Sequence, residues 1–422
     1  MTAPVPPAPA ARPAANAAAR TAAPAPAGEG PGSGRTVVVA GGGIAGLTTA
    51  LALAQRGFSV SLAERTTAFT EVGAGLQISP NAYRVLAGLG LDADLANVMT
   101  FPESVDLHGA SGTRLARVPL GGQATARWGA PYGVLHRADL IAVLARAALA
   151  SPAITVHTGM RALRAAPGPA GMRLETSGGP LDGEAVIAAD GVWSQLRNAL
   201  SGAATARQTG RIAYRTTVPA EALPAGLVDL RVHAHMFPDA HVIRYPISGG
   251  RQINIVVVTA SPWFVEDWSS PASLDEVNTL ARTFDSDLQR LLAGATGWTR
   301  WPLAGVPADA VWNDAGLALI GDAAHATLPF AAQGAAMAIE DAAVLAHHLA
   351  AGRSVPGALA AYAAARRPRA QRIQALSEKN GQIYHMGALT ALARDTALRL
   401  MSEDALMRRL DWLYGWRPPA GP

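Results

Sequence analysis

One segment limits the fold more than any other. Residues 36–46 read TVVVAGGGIAG, in which Gly41, Gly43 and Gly46 satisfy the spacing G-x-G-x-x-G directly between a valine-rich run and an alanine- and leucine-rich run. The pattern predicts a buried strand over Thr36 to Ala40, a helix from Ile44 to Arg56 ended by Gly57, and a second strand from Phe58 to Ala63. Together they form the opening βαβ unit of a doubly wound sheet. In such a unit the first glycine allows a tight turn and the second lets backbone amides approach a pyrophosphate. The third lets helix and strand pack closely, and the amides of Ile44 and Ala45 at the helix start face the anion. Glu64, eighteen residues after Gly46 and followed by Arg65, stands where an acid accepts hydrogen bonds from an adenosine ribose. A carboxylate there repels a 2′-phosphate.

The remainder of the chain extends this reading. Strand-like runs at Ser104 to His108 and Arg114 to Val118 precede a helix from Arg137 to Ala150. Runs at Ile154 to His157, Met172 to Thr176 and Glu184 to Ala189 are expected to return the chain to the first sheet. From Gln208 onward, β-runs at Gly210 to Val218, Asp229 to Phe237, His241 to Pro246 and Gln252 to Ala260 predict an antiparallel sheet, followed by a helix over Leu274 to Leu292. A buried strand at Leu317 to Ile320 and a helix from Gly334 to Ala350 bring back the first domain. Pro356 to Leu413 reads as helical with a break near Gly387.

Composition narrows the function classes. The 422 residues exceed one ordinary core and include no cysteine, which excludes disulfides, thiolate metal sites and thiol nucleophiles. A redox enzyme built this way must borrow its chemistry from a cofactor. Basic residues number 35 and acidic 31, a net charge of +4, and no dense basic run points to nucleic acid. Residues 1–34 are almost pure Ala, Pro and Gly and read as a disordered leader without a signal-peptide core. Thr36 to Gln55 is uncharged and long enough to span a bilayer, but its three consecutive glycines favour a buried βα unit, so no membrane span and a cytoplasmic location are expected.

Two later segments carry a family resemblance. AVIAADGVWSQLR, with Asp190 and Gly191 at a strand end, and GLALIGDAAHATLPFAAQGAAMAIEDAAVLA, with Asp322, Pro329, Gly334 and Ala335, resemble the second and third fingerprints of class A FAD-dependent aromatic hydroxylases, notably the salicylate, hydroxybenzoate and hydroxynicotinate branch. The resemblance spans roughly residues 36–369. It implies FAD as cofactor and NADH or NADPH as a transient co-substrate. It also implies hydroxylation of a small phenolic or hydroxypyridine-type ring by O2 through a flavin C4a-hydroperoxide. The corresponding fold is an α/β Rossmann-type FAD-binding domain with an inserted antiparallel substrate sheet and C-terminal helices. The expected boundaries are 35–207 and 301–352 for the FAD-binding domain, 208–300 for the substrate sheet and 353–422 for the helices, in a monomer or homodimer.

The resemblance also assigns residues. It puts Arg137 of VLHRADL along the FAD pyrophosphate and Gln77 of GLQISPNA near the cofactor. It matches His241 and Tyr245 of HVIRYP to a pair that contacts the substrate hydroxyl, and Arg215 to an arginine that holds an acidic substituent. Residues four apart on a strand share a face, so His241 and Tyr245 are neighbours. A histidine near neutral pKa suits removal of a phenolic proton. His233 and His235 lack carboxylate companions at ligand spacing, and no metal is expected. Another flavin oxidoreductase on this scaffold, or a non-enzymatic FAD redox sensor, remains an alternative.

Overall fold

The structure is a computed structural model that describes residues 31–69, 74–223, 226–263 and 270–420. The expected leader lies outside the described residues as far as residue 30, and residues 31–34 form a turn.

A six-stranded sheet runs in the order Asn313–Asp314, Leu317–Leu319, Ala185–Ala188, Thr36–Ala40, Ser59–Ala63, Ile154–His157. Every pair is parallel except the first. Val37, Val38 and Val39 are fully buried, because helices cover one face of this sheet and a small antiparallel sheet covers the other. Burial on both faces is why the strand reads as an unbroken apolar run. Helix Ile44–Ala54 packs against helices Arg137–Ala150 and Gly334–Ala351.

The covering sheet corrects one expectation. Gly171–Thr176 does not return to the parallel sheet but lies between Ala162–Gly168 and Leu181–Gly183. Its inward residues alternate, with Met172, Leu174 and Thr176 buried, as in a strand buried on one face only. The small sheet packs tightly on the large one. A Cβ at Gly183 would lie 2.8 Å from the Thr36 carbonyl oxygen.

The second large sheet has eight strands, in the order Ser270–Pro271, Thr299–Gly305, Arg207–Pro219, Gln252–Ala260, Ala240–Ile247, Val232–Phe237, Ser104–His108, Arg114–Pro119. The last two, expected within 35–207, belong here, with Ser104–His108 parallel to Val232–Phe237. In Ser104–His108 the buried Ser104 and Asp106 alternate with the less buried Val105 and Leu107, as in a sheet with two unlike faces. One face buries Tyr214, Val242, Ile255 and Val257 against two short helices, Leu274–Ala281 and Ser286–Ala293. These replace the single helix expected over Leu274 to Leu292. Asp285 causes the break, since its carboxylate accepts from Asp287 N and Leu288 N, both at 3.1 Å, and starts a new helix. The opposite face carries Ala213, Arg215, His241, Tyr245 and Val258 toward the first domain.

Helices Val355–Tyr384, Ala388–Leu400 and Glu403–Tyr414 complete the chain, with Gly387 as the N-cap that breaks the first from the second. Among the described residues, no helix is long and apolar enough to cross a membrane.

Candidate active site

Three glycine-bearing turns, far apart in sequence, meet at the ends of the parallel strands. Gly41 adopts φ +109°, and a Cβ on it would lie 2.5 Å from the Ala189 carbonyl, next to Asp190. A Cβ on Gly46 would lie 1.8 Å from the Gly41 carbonyl oxygen. Gly321, ahead of Asp322, has φ +60°, and a Cβ there would press on Ala45 and Ala338. Side chains at these positions would drive the three turns apart.

Two neighbouring glycines show the opposite property. A Cβ on Gly43 or Gly334 would meet nothing within 4 Å. Each begins or precedes a helix, Ile44–Ala54 or Gly334–Ala351, that has no side-chain N-cap hydrogen bond. Free amides and a positive dipole end therefore face open space at both helix starts, beside Ile44, Ala45 and Ala335. Such sockets fit the pyrophosphate and the anionic reduced ring of a flavin dinucleotide.

The acids around these sockets are held by backbone. Glu64 Oε2 accepts from Gly42 N at 2.6 Å and Oε1 from Thr66 N at 2.8 Å, so the residue expected at the ribose also fixes the glycine turn. Arg65 is exposed. Asp190 Oδ2 accepts from Gln195 N and Leu196 N, its Oδ1 has no partner, and burial raises its carboxyl pKa. Gly191 follows in the left-handed region at φ +80°.

Beneath the third turn is a buried ionic network. Asp341 accepts from Arg366 Nε at 2.7 Å, bonds His325 Nε2 at 2.5 Å and accepts from Gly321 N at 3.1 Å. Although burial opposes it, the His325 and Arg366 contacts hold the Asp341 carboxyl down to about 2. Glu340 accepts from Arg366, Arg369 and Asn81, and Asn81 bonds Gln333, the residue before the Gly334 helix. The adjoining Pro329–Ala331 turn is anchored from the long C-terminal helix, where Ser377 Oγ donates to Leu328 O at 2.6 Å and Asn380 Nδ2 to Phe330 O at 3.0 Å.

Opposite this turn lies the sheet face with the expected substrate residues. His241 and Tyr245 are both buried there, with the His241 ring edge-on to Phe330 at 5.1 Å between centroids. His241 Nδ1 is 2.7 Å from His385 Nε2. The expectation of a near-neutral histidine is corrected. Burial first, then the neighbouring His385 and Arg211, hold His241 well below the usual histidine value. Burial raises the Tyr245 hydroxyl, which Arg215 and the Gln77 amide partly oppose. Gln77 also accepts from Tyr132 OH, so it belongs to the Tyr245 cluster. Burial pulls the Arg215 guanidinium down to about 10, where it is still charged at neutral pH, and the charge of Arg137 adds to the effect. Arg137 thus stands at its helix start within electrostatic reach of the substrate face.

Arg211 and His385 were not legible as site residues. Arg211 shares its strand face with Arg215, and its Nη1 and the Arg215 Nε are buried without hydrogen-bond partners. On the other face, the premise behind expecting no metal is overturned. His233 has Asp229 at 2.9 Å, His235 has Asp285 at 3.7 Å, and His108 of the neighbouring strand joins them.

Comparison with known proteins accords with this geometry. A family described as FAD binding domain matches residues 35–377. The chain is 34% identical over 384 residues to a 3-hydroxybenzoate 6-hydroxylase of Polaromonas naphthalenivorans, covering 90% of this chain and 96% of that one. It is 35% identical over 389 residues to the 3-amino-4-hydroxybenzoate 2-monooxygenase PtnB3 of Streptomyces platensis, with coverage of 90% and 96%. A salicylate hydroxylase substrate complex superposes with a TM-score of 0.76 at 25% identity, covering 90% of this chain and 95% of that one. The chain therefore belongs to the FAD-dependent aromatic hydroxylases, the class A flavoprotein monooxygenases.

Proposed function

We propose that this monooxygenase consumes NADH or NADPH and O2 to hydroxylate a small aromatic acid bearing a ring hydroxyl, of the phenolic or hydroxypyridine type. The observation that carries the reading is one buried sheet face that brings two incompletely bonded guanidinium groups, Arg211 and Arg215, beside His241 and Tyr245. A carboxylate and a ring hydroxyl are the groups such a face would bind. The hydroxybenzoates in the relatives' names carry both.

When bound, FAD supplies the electrons taken from NAD(P)H and the activation of O2. The protein's part is to hold the ring and manage one proton. Arg215 pairs with the carboxylate, and Tyr245, protonated at neutral pH, donates to the ring oxygen. Arg211 lowers the cost of a phenolate, the better electron donor toward an electrophilic oxygen. His241 is a weak base, so it serves by accepting that proton briefly and relaying it to His385. Gln77 orients Tyr245. The Pro329–Ala331 turn, with Phe330 against His241, would form the wall between this face and a flavin held at the Gly334 helix start.

The test is a screen of hydroxybenzoates, salicylate and hydroxypyridines for stimulated NAD(P)H oxidation by the purified flavoprotein, with products identified by mass spectrometry. A product one oxygen heavier than its substrate is the expected result. NAD(P)H oxidation that no aromatic ligand alters would instead favour an oxidase, reductase or redox sensor.

A further inference from the structure

The face of the eight-stranded sheet turned away from His241 and Tyr245 carries a second constellation. The parallel pairing of Ser104–His108 with Val232–Phe237 sets His108 opposite His235, and His233 lies two residues earlier on the same face. The His108 and His235 rings stack with centroids 4.4 Å apart and planes 11° apart. One nitrogen from each of the three histidines lies within 4.8 Å of the other two.

The hydrogen bonds around these rings fix which nitrogens carry protons. His108 Nδ1 is 3.0 Å from the Gly112 carbonyl oxygen, which can only accept, so Nδ1 is the donor. His233 Nε2 is 2.9 Å from Asp229 Oδ1 and donates to that carboxylate. In the neutral rings the remaining nitrogens, His108 Nε2 and His233 Nδ1, are both lone pairs, yet they stand 3.0 Å apart. Two acceptors at that distance require a positive species between or beside them. His235 is 5% exposed, and neither of its nitrogens has a hydrogen-bond partner. Asp285 Oδ2, 3.7 Å from His235 Nδ1, is also buried and unpartnered, while Oδ1 caps the Ser286–Ala293 helix. A proton shared by His108 and His233 would relieve only the first conflict. A single cation relieves that conflict and also gives a partner to one His235 nitrogen and to Asp285 Oδ2.

We propose that His108 Nε2, His233 Nδ1 and His235, with Asp285 Oδ2 at the fourth position, bind one divalent transition-metal ion, with zinc the best match. Three imidazoles and one carboxylate suit zinc and its neighbours rather than calcium or magnesium, which take oxygen donors. Zinc–nitrogen bonds of about 2.0–2.1 Å in a tetrahedron place ligand atoms roughly 3.3 Å apart. His108 Nε2 and His233 Nδ1 stand at 3.0 Å, His235 Nδ1 and Asp285 Oδ2 at 3.7 Å, and the three histidine nitrogens within 4.8 Å of one another, so the ligands would draw in around the ion. The outward hydrogen bonds to Gly112 O and Asp229 are the supports that metal-bound histidines use. Ions enter through a cavity of about 420 Å³ lined by His108, His233, His235, Arg244 and Asp285. The Arg244 charge opposes a cation there, but its Nη1 is held by Leu227 O at 2.7 Å and the carboxylates of Asp229, Asp285 and Asp287 outnumber it. The ion would join two adjacent strands to a helix N-terminus, a structural clip remote from the hydroxylation site.

The test uses the FAD-loaded, tag-free protein, treated with a chelator and then titrated with Zn²⁺ by calorimetry and with Co²⁺ by visible absorption beyond the flavin bands. One ion per chain, a raised thermal midpoint and tetrahedral cobalt bands are expected. His235→Ala and His108→Gln should each weaken binding tenfold or more while retaining FAD. The double variant His347→Ala/His348→Ala should bind as wild type does. Failure of the wild-type protein to take up stoichiometric Zn²⁺ at micromolar concentration overturns the proposal, whatever the variants do. Undiminished binding by His235→Ala, or its loss in the His347/His348 variant, also overturns it.

Discussion

His241 Nδ1 lies 2.7 Å from His385 Nε2, joining the eight-stranded sheet to the end of the 30-residue helix Val355–Tyr384. One of the two nitrogens donates to the other, so the bond fixes the tautomer of His241 and the orientation of its ring. Removing His241 should lower the rate of hydroxylation by roughly 10²–10⁴-fold, the usual worth of a positioned base. His385→Ala should cost about 10–100-fold, as loss of an orienting partner does. NAD(P)H oxidation, product formation and hydrogen peroxide release, measured together, check both. Coupling unchanged from wild type in His241→Ala removes that residue from the proton path.

In the proposed function Arg215 pairs with the substrate carboxylate through a charge that a neutral side chain cannot replace. Charge-assisted hydrogen bonds contribute about 1.5–3 kcal/mol, so Arg215→Met should raise KM for a carboxylated substrate by roughly 10–100-fold. Arg215→Lys should restore only part of it, because an ammonium lacks the planar fork. A substrate analogue without the carboxylate should show little difference among the three proteins in steady-state kinetics.

The glycine turn should tolerate no side chain at Gly46, where a Cβ would lie 1.8 Å from the Gly41 carbonyl oxygen. Gly46→Ala is expected to be purified with most of its FAD lost, read as flavin absorbance per chain. Glu64→Ala should also lose FAD, since Glu64 holds the Gly42 amide as well as standing at the expected ribose position. Retention of wild-type FAD content by Glu64→Ala would contradict that placement.

Acid should weaken the fold in two stages. Burial holds His385 down to about 4 and His241 well below the histidine range, so both are neutral in the folded chain and protonate more readily when it unfolds. Their contribution is complete above pH 6.5 and is lost as pH falls from about 6.5 toward 4. Asp341 at about 2 gives stability that is present above its unfolded value and is lost as pH falls through the folded one. Asp341→Asn, which leaves Arg366 buried beside a neutral amide, should cost about 3–5 kcal/mol. Denaturant unfolding at several pH values measures each stage.

What the sequence revealed is what a short window can encode. Gly41, Gly43 and Gly46 announce a strand-to-helix turn because their spacing is local, and Asp190 and Asp322 are found by the apolar strands that precede them. In the fold the three turns pack on one another, Gly41 against Ala189 and Gly321 against Ala45. Residues that depend on distant pairing were hidden. His385 meets His241 across 144 positions, and no local pattern marks a helix C-cap as a ring partner. Arg211 looks like any strand arginine until the sheet is assembled. The membership of Ser104–His108 in the second sheet was missed because periodicity tells which face of a strand is buried, not which sheet it joins. His108 could reach His235 only after that pairing was known.

That pairing has a consequence for the order in which the chain can fold. Ser104–His108 lies alongside Val232–Phe237, so the second sheet waits for more than a hundred residues to be made before its early hairpin finds a partner. A nascent chain released before that point would present an unfilled sheet edge, open to pairing with other chains. A fragment cut at 208–300 would carry the complementary bare edge, and the two halves of this protein cannot be separated by a single cut between domains.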